Sequence, residues 1–294
     1  MSGAAGTTIA VLAGLAAAGT FGAGVALQHR QAQLAPAVRR APMGLLAHLA
    51  RQRLWLVGIA LAAAAYGLQA LALALAPLAL VAPVVATDLL FALPLAARWS
   101  RRRMRVKDWA GCMLAGGGVA IFLAASPPSA GRTDAPARDW ALAFAAVALV
   151  AGAAVTAARA THGPARAGLL ALASGAVFGL SAALTLSVTR VLGTVRIGHV
   201  LGHWQLWALV ALGTVGLLLS ASAFQAGTLS ASLPVIDTAE PVSAVLLGTF
   251  LFDERLAASP AGLALQLAGS AAAVAGIIVL GRSSMAWRAV GRGP

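Results

Sequence analysis

Long runs of apolar residues, separated by short clusters of arginine, constrain the fold of this chain more than any other feature. The run from Leu54 to Ala97 holds one charged residue, Asp88. As a single helix this run would be about 66 Å long, roughly twice the hydrocarbon thickness of a bilayer. Hydrophobic residues make up 60% of the chain, charged residues 10%, and the mean hydropathy is +0.88. We therefore expect an all-α, polytopic membrane helix bundle.

Charges and turn residues divide the chain into nine candidate spans. Pro77 supplies a break between the second and third spans, and Gly227 with Thr228 marks the turn between the seventh and eighth. A helix needs about 20 apolar residues to cross a bilayer, so the sequence predicts about nine transmembrane helices, or ten if 29–53 hides a poorly apolar span. The nine spans are roughly 4–27, 54–75, 78–98, 108–125, 139–158, 166–189, 204–226, 229–251 and 260–281.

The first span is expected to remain in the protein as a helix. Its leader, MSGAAGTTIA, carries no positive charge, whereas the leader of a cleaved signal peptide normally does.

The distribution of positive charge predicts the orientation. Sixteen of the 21 Lys and Arg residues lie in or beside the loops 28–53, 99–107 and 159–165 and the tail after 281. The positive-inside rule places these segments in the cytoplasm. We therefore expect a multi-pass protein of the bacterial cytoplasmic (inner) membrane, with the N-terminus outside and the C-terminus cytoplasmic. A tenth span within 29–53 would move only the N-terminus to the inside.

Several functional classes are disfavoured by what the sequence contains. The net charge of +13 comes from arginines that flank apolar runs, which is typical of membrane proteins and not of nucleic-acid binding. One cysteine, Cys112, allows no disulfide and no cysteine zinc site within a single chain, and His199 with His203 lacks the surroundings of a zinc motif. The run Gly116–Gly118 has no lysine and is not a phosphate loop. We expect no enzymatic activity, no cofactor, no bound metal and no direct coupling to ATP.

Two segments of the chain resemble each other. They begin APLALVAPVVATDLLFALPLAARW and GTLSASLPVIDTAEPVSAVLLGTFLF. The fifth span has no counterpart, so an odd number of crossings separates the two units, and we expect the second unit to be inverted. The matched positions are Pro83 with Pro234, Asp88 with Glu240 after a one-residue shift, Gly111 with Gly262, and Gly118 with Gly269.

The repeat predicts a division of the chain into four parts. Residues 1–125 form a first transmembrane repeat, 126–165 a linking helix with loops, 166–281 a second, inverted repeat, and 282–294 a cytoplasmic tail. Inverted repeats are a common plan of secondary transporters, which bind their substrate near the midplane between the halves.

The stretch EPVSAVLLGTFLFDERLAASPAGLALQLAGSAAAVAGIIVL resembles the second EamA-type repeat of the drug/metabolite transporter superfamily. Its corner FDERL contains Asp253, Glu254 and Arg255, whereas the first repeat, with WSRRRMRVKD, has no acid at that corner. The resemblance covers roughly 54–125 and 166–281, and it implies transport of metabolites, amino acids or drugs. The nine-span count with an unpaired fifth helix is also similar to the NIPA-type branch, which is associated with magnesium.

Three carboxylates lie within predicted spans, namely Asp88, Asp237 and Glu240. A charge in hydrocarbon costs at least about 2.5–3.5 kcal/mol, so such groups normally face a watery cavity, pair with a cation or are protonated. Asp237 and Glu240 are three residues apart and share a helix face. We expect Asp88 to face a central cavity opposite Glu240. The alternatives are that Asp237 caps a helix or that one acid only fixes helix packing.

Polar residues near the acids are candidate ligands for a substrate or ion. Amides in the helices that enter the two similar segments can hydrogen-bond a polar substrate, or can instead join two helices. These further candidates are Thr87, Thr238, Tyr66, Gln69 and Gln225.

Two other groups are interpreted structurally. Gly175 and Gly179, with Ser174 and Ser181, form a small-residue stripe that predicts close helix packing. Trp204 and Trp207 are typical of the aromatic belt at a membrane surface.

These features predict a secondary transporter or exporter of small polar molecules, working by alternating access as a proton- or ion-coupled antiporter. The alternatives are a NIPA-type divalent-cation transporter and a membrane scaffold that transports nothing. The expected partners are a small-molecule or ion substrate and the lipid bilayer, without nucleic acid. A homodimer, the substrate and the direction of transport are left open.

Overall fold

A computed structural model of the chain describes residues 3–35, 42–75, 84–100, 103–125, 135–194, 202–253 and 259–290. The regular structure of these residues is entirely helical, which confirms the all-α prediction. The helices are α1 (Gly3–Leu34), α2 (Pro42–Leu49), α3 (Arg53–Leu75), a 3-10 turn (Ala86–Asp88) followed by α4 (Leu89–Trp99), α5 (Val106–Ala124), α6 (Ala137–Arg159), α7 (Gly163–Thr194), α8 (Trp204–Ala226), α9 (Leu229–Phe252) and α10 (Pro260–Val290).

Within the described residues, seven helices are long and apolar enough to cross a membrane, namely α1 and α5 to α10. The apolar stretches of α3 and α4 are shorter, at Arg53–Gln69 and Leu89–Trp99. The chain is therefore a multi-pass helical membrane protein, while the count of nine spans stays a prediction. Helix α2 has eight residues and is about 12 Å long, too short to cross a bilayer.

The predicted turn between the seventh and eighth spans is confirmed. Helix α8 ends at Ala226 and α9 begins at Leu229, so Gly227 and Thr228 connect them. The predicted break at Pro77 and the matched Pro83 lie outside the described residues.

The helices pack in two similar groups. In the first, α1 contacts α3 and α4, and in the second, α7 contacts α8 and α9. Helices α5 and α10 pack against each other and run antiparallel, because Gly118 meets Gly269 and Ala273 whereas Gly111 meets Leu280. A Cβ atom built on Gly118 would lie 2.5 Å from the carbonyl oxygen of Gly269. The two glycines matched by the sequence repeat thus contact each other across this helix pair.

Candidate functional site

Asp88 is the last residue of the 3-10 turn and directly precedes α4. Its carboxylate accepts a hydrogen bond of 2.8 Å from the backbone N–H of Leu89, and the residue is only 5% exposed. The backbone of Asp88 is itself already helical, with a φ of −53° and a ψ of −34°. The hydrogen bond from the Leu89 N–H offsets part of the cost of holding a carboxylate within the predicted third span.

A cavity of about 300 Å³ lies beside Asp88; we call it the central cavity. Its walls come from α1, α3, α4 with the preceding turn, α5, α7 and α9. Five predicted site residues line it, namely Asp88, Asp237, Glu240, Tyr66 and Gln69. The other residues that line the cavity have apolar side chains or none, and include Phe21, Val119, Leu123 and Pro241. The structure thus brings together the three carboxylates that the sequence places within spans.

Asp237 and Glu240 both enter the central cavity from α9. One carboxylate oxygen of Asp237, Oδ2, is buried and has no hydrogen-bond partner among the described residues. Asp237 lies in the interior of α9 and does not cap that helix, so that alternative is wrong. An ionised oxygen that is buried without a partner is costly, so this group needs a proton, a cation or a water molecule.

The charges around the central cavity have one sign. No lysine or arginine is among its described lining residues. Asp88, Asp237 and Glu240 line the same cavity, so their carboxylates repel one another when more than one is ionised. Three acids without a basic partner form a site that favours protons or cations over anions.

Helix α3 supplies the uncharged polar groups of the cavity. Tyr66 and Gln69 are three residues apart and therefore share one face of the helix. The ring of Tyr66 packs edge to face against Phe21 of α1, with 6.2 Å between the ring centroids. A phenol and an amide at the wall can hydrogen-bond a polar ligand.

Three other predicted residues do not line the central cavity. The Thr87 hydroxyl donates a hydrogen bond of 2.6 Å to the Val84 carbonyl, and the Thr238 hydroxyl donates one of 2.8 Å to the Pro234 carbonyl. Both hydroxyls are thus used inside their own helical segments. Gln225 lies near the end of α8, where its backbone carbonyl faces the Gln33 amide at 3.4 Å.

Glycines let neighbouring helices approach the two acids that the repeat pairs. A Cβ atom on Gly22 of α1 would lie 2.7 Å from the Asp88 carbonyl oxygen, and one on Gly175 of α7 would lie 3.1 Å from the Glu240 backbone nitrogen. These distances leave little or no room for a side chain. The close packing predicted for Gly175 and Gly179 is confirmed, whereas the sequence analysis did not single out Gly22.

A second cavity, of about 550 Å³, lies at the end of α1 and beside the turn between α8 and α9. Leu89 lines the central cavity, and Leu93, one turn further along α4, lines the second cavity. Both leucines are buried in one apolar cluster with Leu233 and Ile236 of α9. Packed apolar side chains therefore separate the two cavities.

Two polar residues at the end of α1 join it to the α8–α9 turn. The Gln33 amide donates to the Gly227 carbonyl at 2.7 Å and also to the Phe224 carbonyl, and a ring nitrogen of His29 is 3.1 Å from the Gly227 oxygen. These contacts satisfy carbonyl groups that the end of α8 leaves open. The sequence analysis missed both residues, although polar side chains at the end of an apolar helix were the available signal.

The described residues include no group of three or more His, Cys, Asp or Glu side chains arranged to hold a metal ion. Cys112 is buried in α5.

The chain is similar to the "Uncharacterized protein Cgl0250/cg0304" of Corynebacterium glutamicum, with 30% identity over 252 residues that cover 84% of this chain and 86% of that protein. No family model and no solved structure matches the chain. The resemblances to the EamA-type repeat and to the NIPA-type branch therefore stay predictions.

Proposed function

This chain belongs to the same family as the Corynebacterium glutamicum protein Cgl0250/cg0304, and we propose that it is a secondary membrane transporter or exporter of small polar metabolites or drugs. Transport is coupled to a proton or another cation. The substrate and the coupling ion use the central cavity, which opens to one side of the membrane at a time.

One observation carries this proposal: three carboxylates from both helix groups line one cavity inside an apolar bundle. Asp88 comes from the first group, and Asp237 and Glu240 come from the second. Intramembrane acids are costly, and in pumps and transporters such acids mark ion and proton pathways. A membrane scaffold that transports nothing would gain no benefit from this arrangement.

The packing of the two halves supports alternating access. The antiparallel contact between Gly118 and Gly269 is what an inverted repeat of 1–125 and 166–281 would produce. Within each half, glycines hold α1 close to α4 and α7 close to α9, so each half can move as a rigid unit around a fixed central site, while the contact of α5 with α10 lies where the two halves meet. In this mechanism Asp88 and Glu240 take up a proton or cation on one side and release it on the other.

The size and lining of the cavity favour a small polar substrate. Its volume of about 300 Å³ is at the lower end of the range for small-molecule pockets. Tyr66 and Gln69 can hydrogen-bond the polar groups of the substrate, and the apolar wall can contact the rest of the molecule.

Divalent-cation transport of the NIPA type is the second candidate. Asp237 Oδ2, which has no hydrogen-bond partner among the residues that the structure describes, favours it together with the two further acids in the cavity. Magnesium keeps most of its water and usually binds one or two carboxylates, so it does not require a cluster of three ligands.

Proteoliposomes distinguish the two candidates. Vesicles with a trapped pH dye are exposed in turn to single amino acids, to other small polar metabolites and to cationic drugs, and vesicles with a trapped magnesium dye are exposed to magnesium. We expect at least one organic compound to change the signal of the trapped pH dye, and to do so only in vesicles that contain the protein. Magnesium entry without a response to any organic compound would favour the second candidate, and no response in either set would contradict both.

A further inference from the structure

A third cavity lies where α6 and α8 begin, and it shares no lining residue with the central cavity. Its volume is about 470 Å³. We call it the aromatic cleft; it is lined by Trp140, Phe144, Trp204 and Gln205, together with Ala135, Ala137 and Ala141.

Three aromatic rings form much of its wall. The ring centroids of Trp140 and Trp204 are 5.6 Å apart at 82°, and those of Phe144 and Trp204 are 6.3 Å apart at 55°. Trp140 also packs edge to face on Phe252, with 6.0 Å between the ring centroids, and is 3% exposed, whereas Trp204 is 47% exposed. An open aromatic face attracts cations, most strongly for tryptophan, so Trp204 is the ring of the cleft best able to receive one.

The cleft also contains one donor and one acceptor without partners. Trp140 Nε1 and Gln205 Oε1 are buried and have no hydrogen-bond partner among the described residues. Trp140 is 3% exposed and Gln205 is 7% exposed. Buried polar groups are nearly always hydrogen-bonded, and leaving one unpaired costs about 1–3 kcal/mol. A ligand that accepts from Trp140 and donates to Gln205 would remove both penalties.

Two helix starts meet at the same place. Helix α6 begins at Ala137 after Pro136, and α8 begins at Trp204 after His203, and neither preceding residue caps its helix with a side-chain hydrogen bond. Open N–H groups and the helix dipole favour an anionic group near such starts. Asp139 is in the first turn of α6 but does not line the cleft.

We propose that the aromatic cleft is a second binding site, specific for a small zwitterion. The anionic group lies at the helix starts and accepts a hydrogen bond from Trp140 Nε1. The ammonium group donates to Gln205 Oε1 and rests against the Trp204 ring. A free amino acid has this chemistry, and so does the ethanolamine headgroup of a phospholipid. The site uses none of the three acids of the central cavity, so it does not depend on the proposed transport.

The first arm of the test measures binding of free ligands. The full chain, in nanodiscs without phosphatidylethanolamine, is titrated with phenylalanine, with phenylacetate, which lacks the ammonium group, and with phenethylamine, which lacks the carboxylate. We expect phenylalanine to bind at least about tenfold more tightly than either analogue, because it alone uses both ends of the cleft.

The second arm measures retention of lipid. Nanodiscs with equal amounts of phosphatidylethanolamine and phosphatidylglycerol are used, and the lipid that stays bound after extraction is identified by native mass spectrometry. A preference for phosphatidylethanolamine identifies the lipid headgroup as the source of the zwitterion.

Both arms are repeated with Trp140→Phe, which removes the N–H but keeps an aromatic ring, and with Gln205→Leu, which removes the acceptor. Trp207→Phe is the matched control. Trp207 lies on α8, as Gln205 does, but it is 60% exposed and does not line the cleft. We expect binding about three- to tenfold weaker in at least one cleft variant, the loss of one hydrogen bond, and unchanged binding in the control. The proposal is overturned if neither arm shows a preference for the zwitterion, or if both folded cleft variants keep full affinity.

Discussion

Gly179 of α7 lies so close to Glu240 of α9 that a Cβ atom built on it would be 2.8 Å from the Glu240 carbonyl oxygen. Gly22 of α1 has the same relation to Asp88, at 2.7 Å from its carbonyl oxygen. Real Cβ atoms almost never come within 3.0 Å of such a neighbour. In each group of helices, therefore, the backbone that carries an acid is held by a neighbouring helix through a residue without a side chain.

Replacing these glycines should destabilise the protein. Gly22→Ala places a methyl group against backbone atoms that cannot turn aside, and overpacking of this kind costs about 1–3 kcal/mol. We expect a lower midpoint of thermal unfolding in detergent and weaker transport. Gly213→Ala is the matched control, because a Cβ there meets nothing within 4 Å and alanine favours a helix by about 1 kcal/mol. Equal stability of the two variants would contradict the close approach.

Gln69→Leu should weaken substrate binding more than it slows the transport cycle. The amide lines the central cavity, and the loss of one hydrogen bond to a polar substrate raises KM by up to about tenfold. Transport rates measured over a range of substrate concentrations separate KM from the maximal rate. Thr238→Val is the control, since its hydroxyl bonds to Pro234 inside α9, and its KM should not change. A larger rise in KM for Thr238→Val than for Gln69→Leu would reverse the assignment of the two residues.

Gln33→Leu should loosen the contact between α1 and the turn that joins α8 to α9. The variant removes the hydrogen bonds to the Phe224 and Gly227 carbonyls, at a cost of about 1–3 kcal/mol. We expect a lower unfolding midpoint and faster proteolysis at the α8–α9 turn. Gln52→Leu is the control, because that amide contacts His48 of the neighbouring helix at 3.4 Å. Equal protease resistance in both variants would show that the contact does not hold the turn.

The orientation can be read from two introduced cysteines in a Cys112→Ala background. Ser259→Cys lies between α9 and α10, and Arg103→Cys lies before α5; both positions are exposed. The positive-inside rule places the first outside and the second in the cytoplasm. A maleimide that cannot cross the membrane should label Ser259→Cys in intact cells and Arg103→Cys only after lysis. The opposite pattern would reverse the proposed orientation.

The sequence was informative where a single strong free-energy term decides the outcome. Apolar runs define the helices because lipid leaves the backbone no other way to satisfy its hydrogen bonds. Asp88 and Glu240 line the same cavity because neither carboxylate is tolerated in lipid. Sequence reasoning failed where the hydrogen-bond partner of a side chain depends on local geometry. Thr87 and Thr238 stand next to acids in the chain, yet each hydroxyl bonds to a carbonyl of its own helical segment and does not line the cavity.

The contact of His29 and Gln33 with Gly227 was not predicted for a related reason. It depends on α1 continuing to Leu34, past its predicted end at residue 27, and on the rotation of that last turn. Hydropathy gives neither the residue at which α1 ends nor the direction in which its last turn faces.

The most direct measurement compares proton movement in proteoliposomes made with the unmodified protein, Asp88→Asn and Glu240→Gln, using the substrate that the compound panel identifies. Asp253→Asn is the control, because Asp253 has a φ of 55°, which asparagine also tolerates, and does not line the central cavity. We expect the substrate to drive proton movement with the unmodified protein and with the control, and at least about a hundredfold less with either cavity variant, since a neutral amide cannot take up the coupling proton. Full proton-coupled transport by both cavity variants would contradict the central role of these two acids.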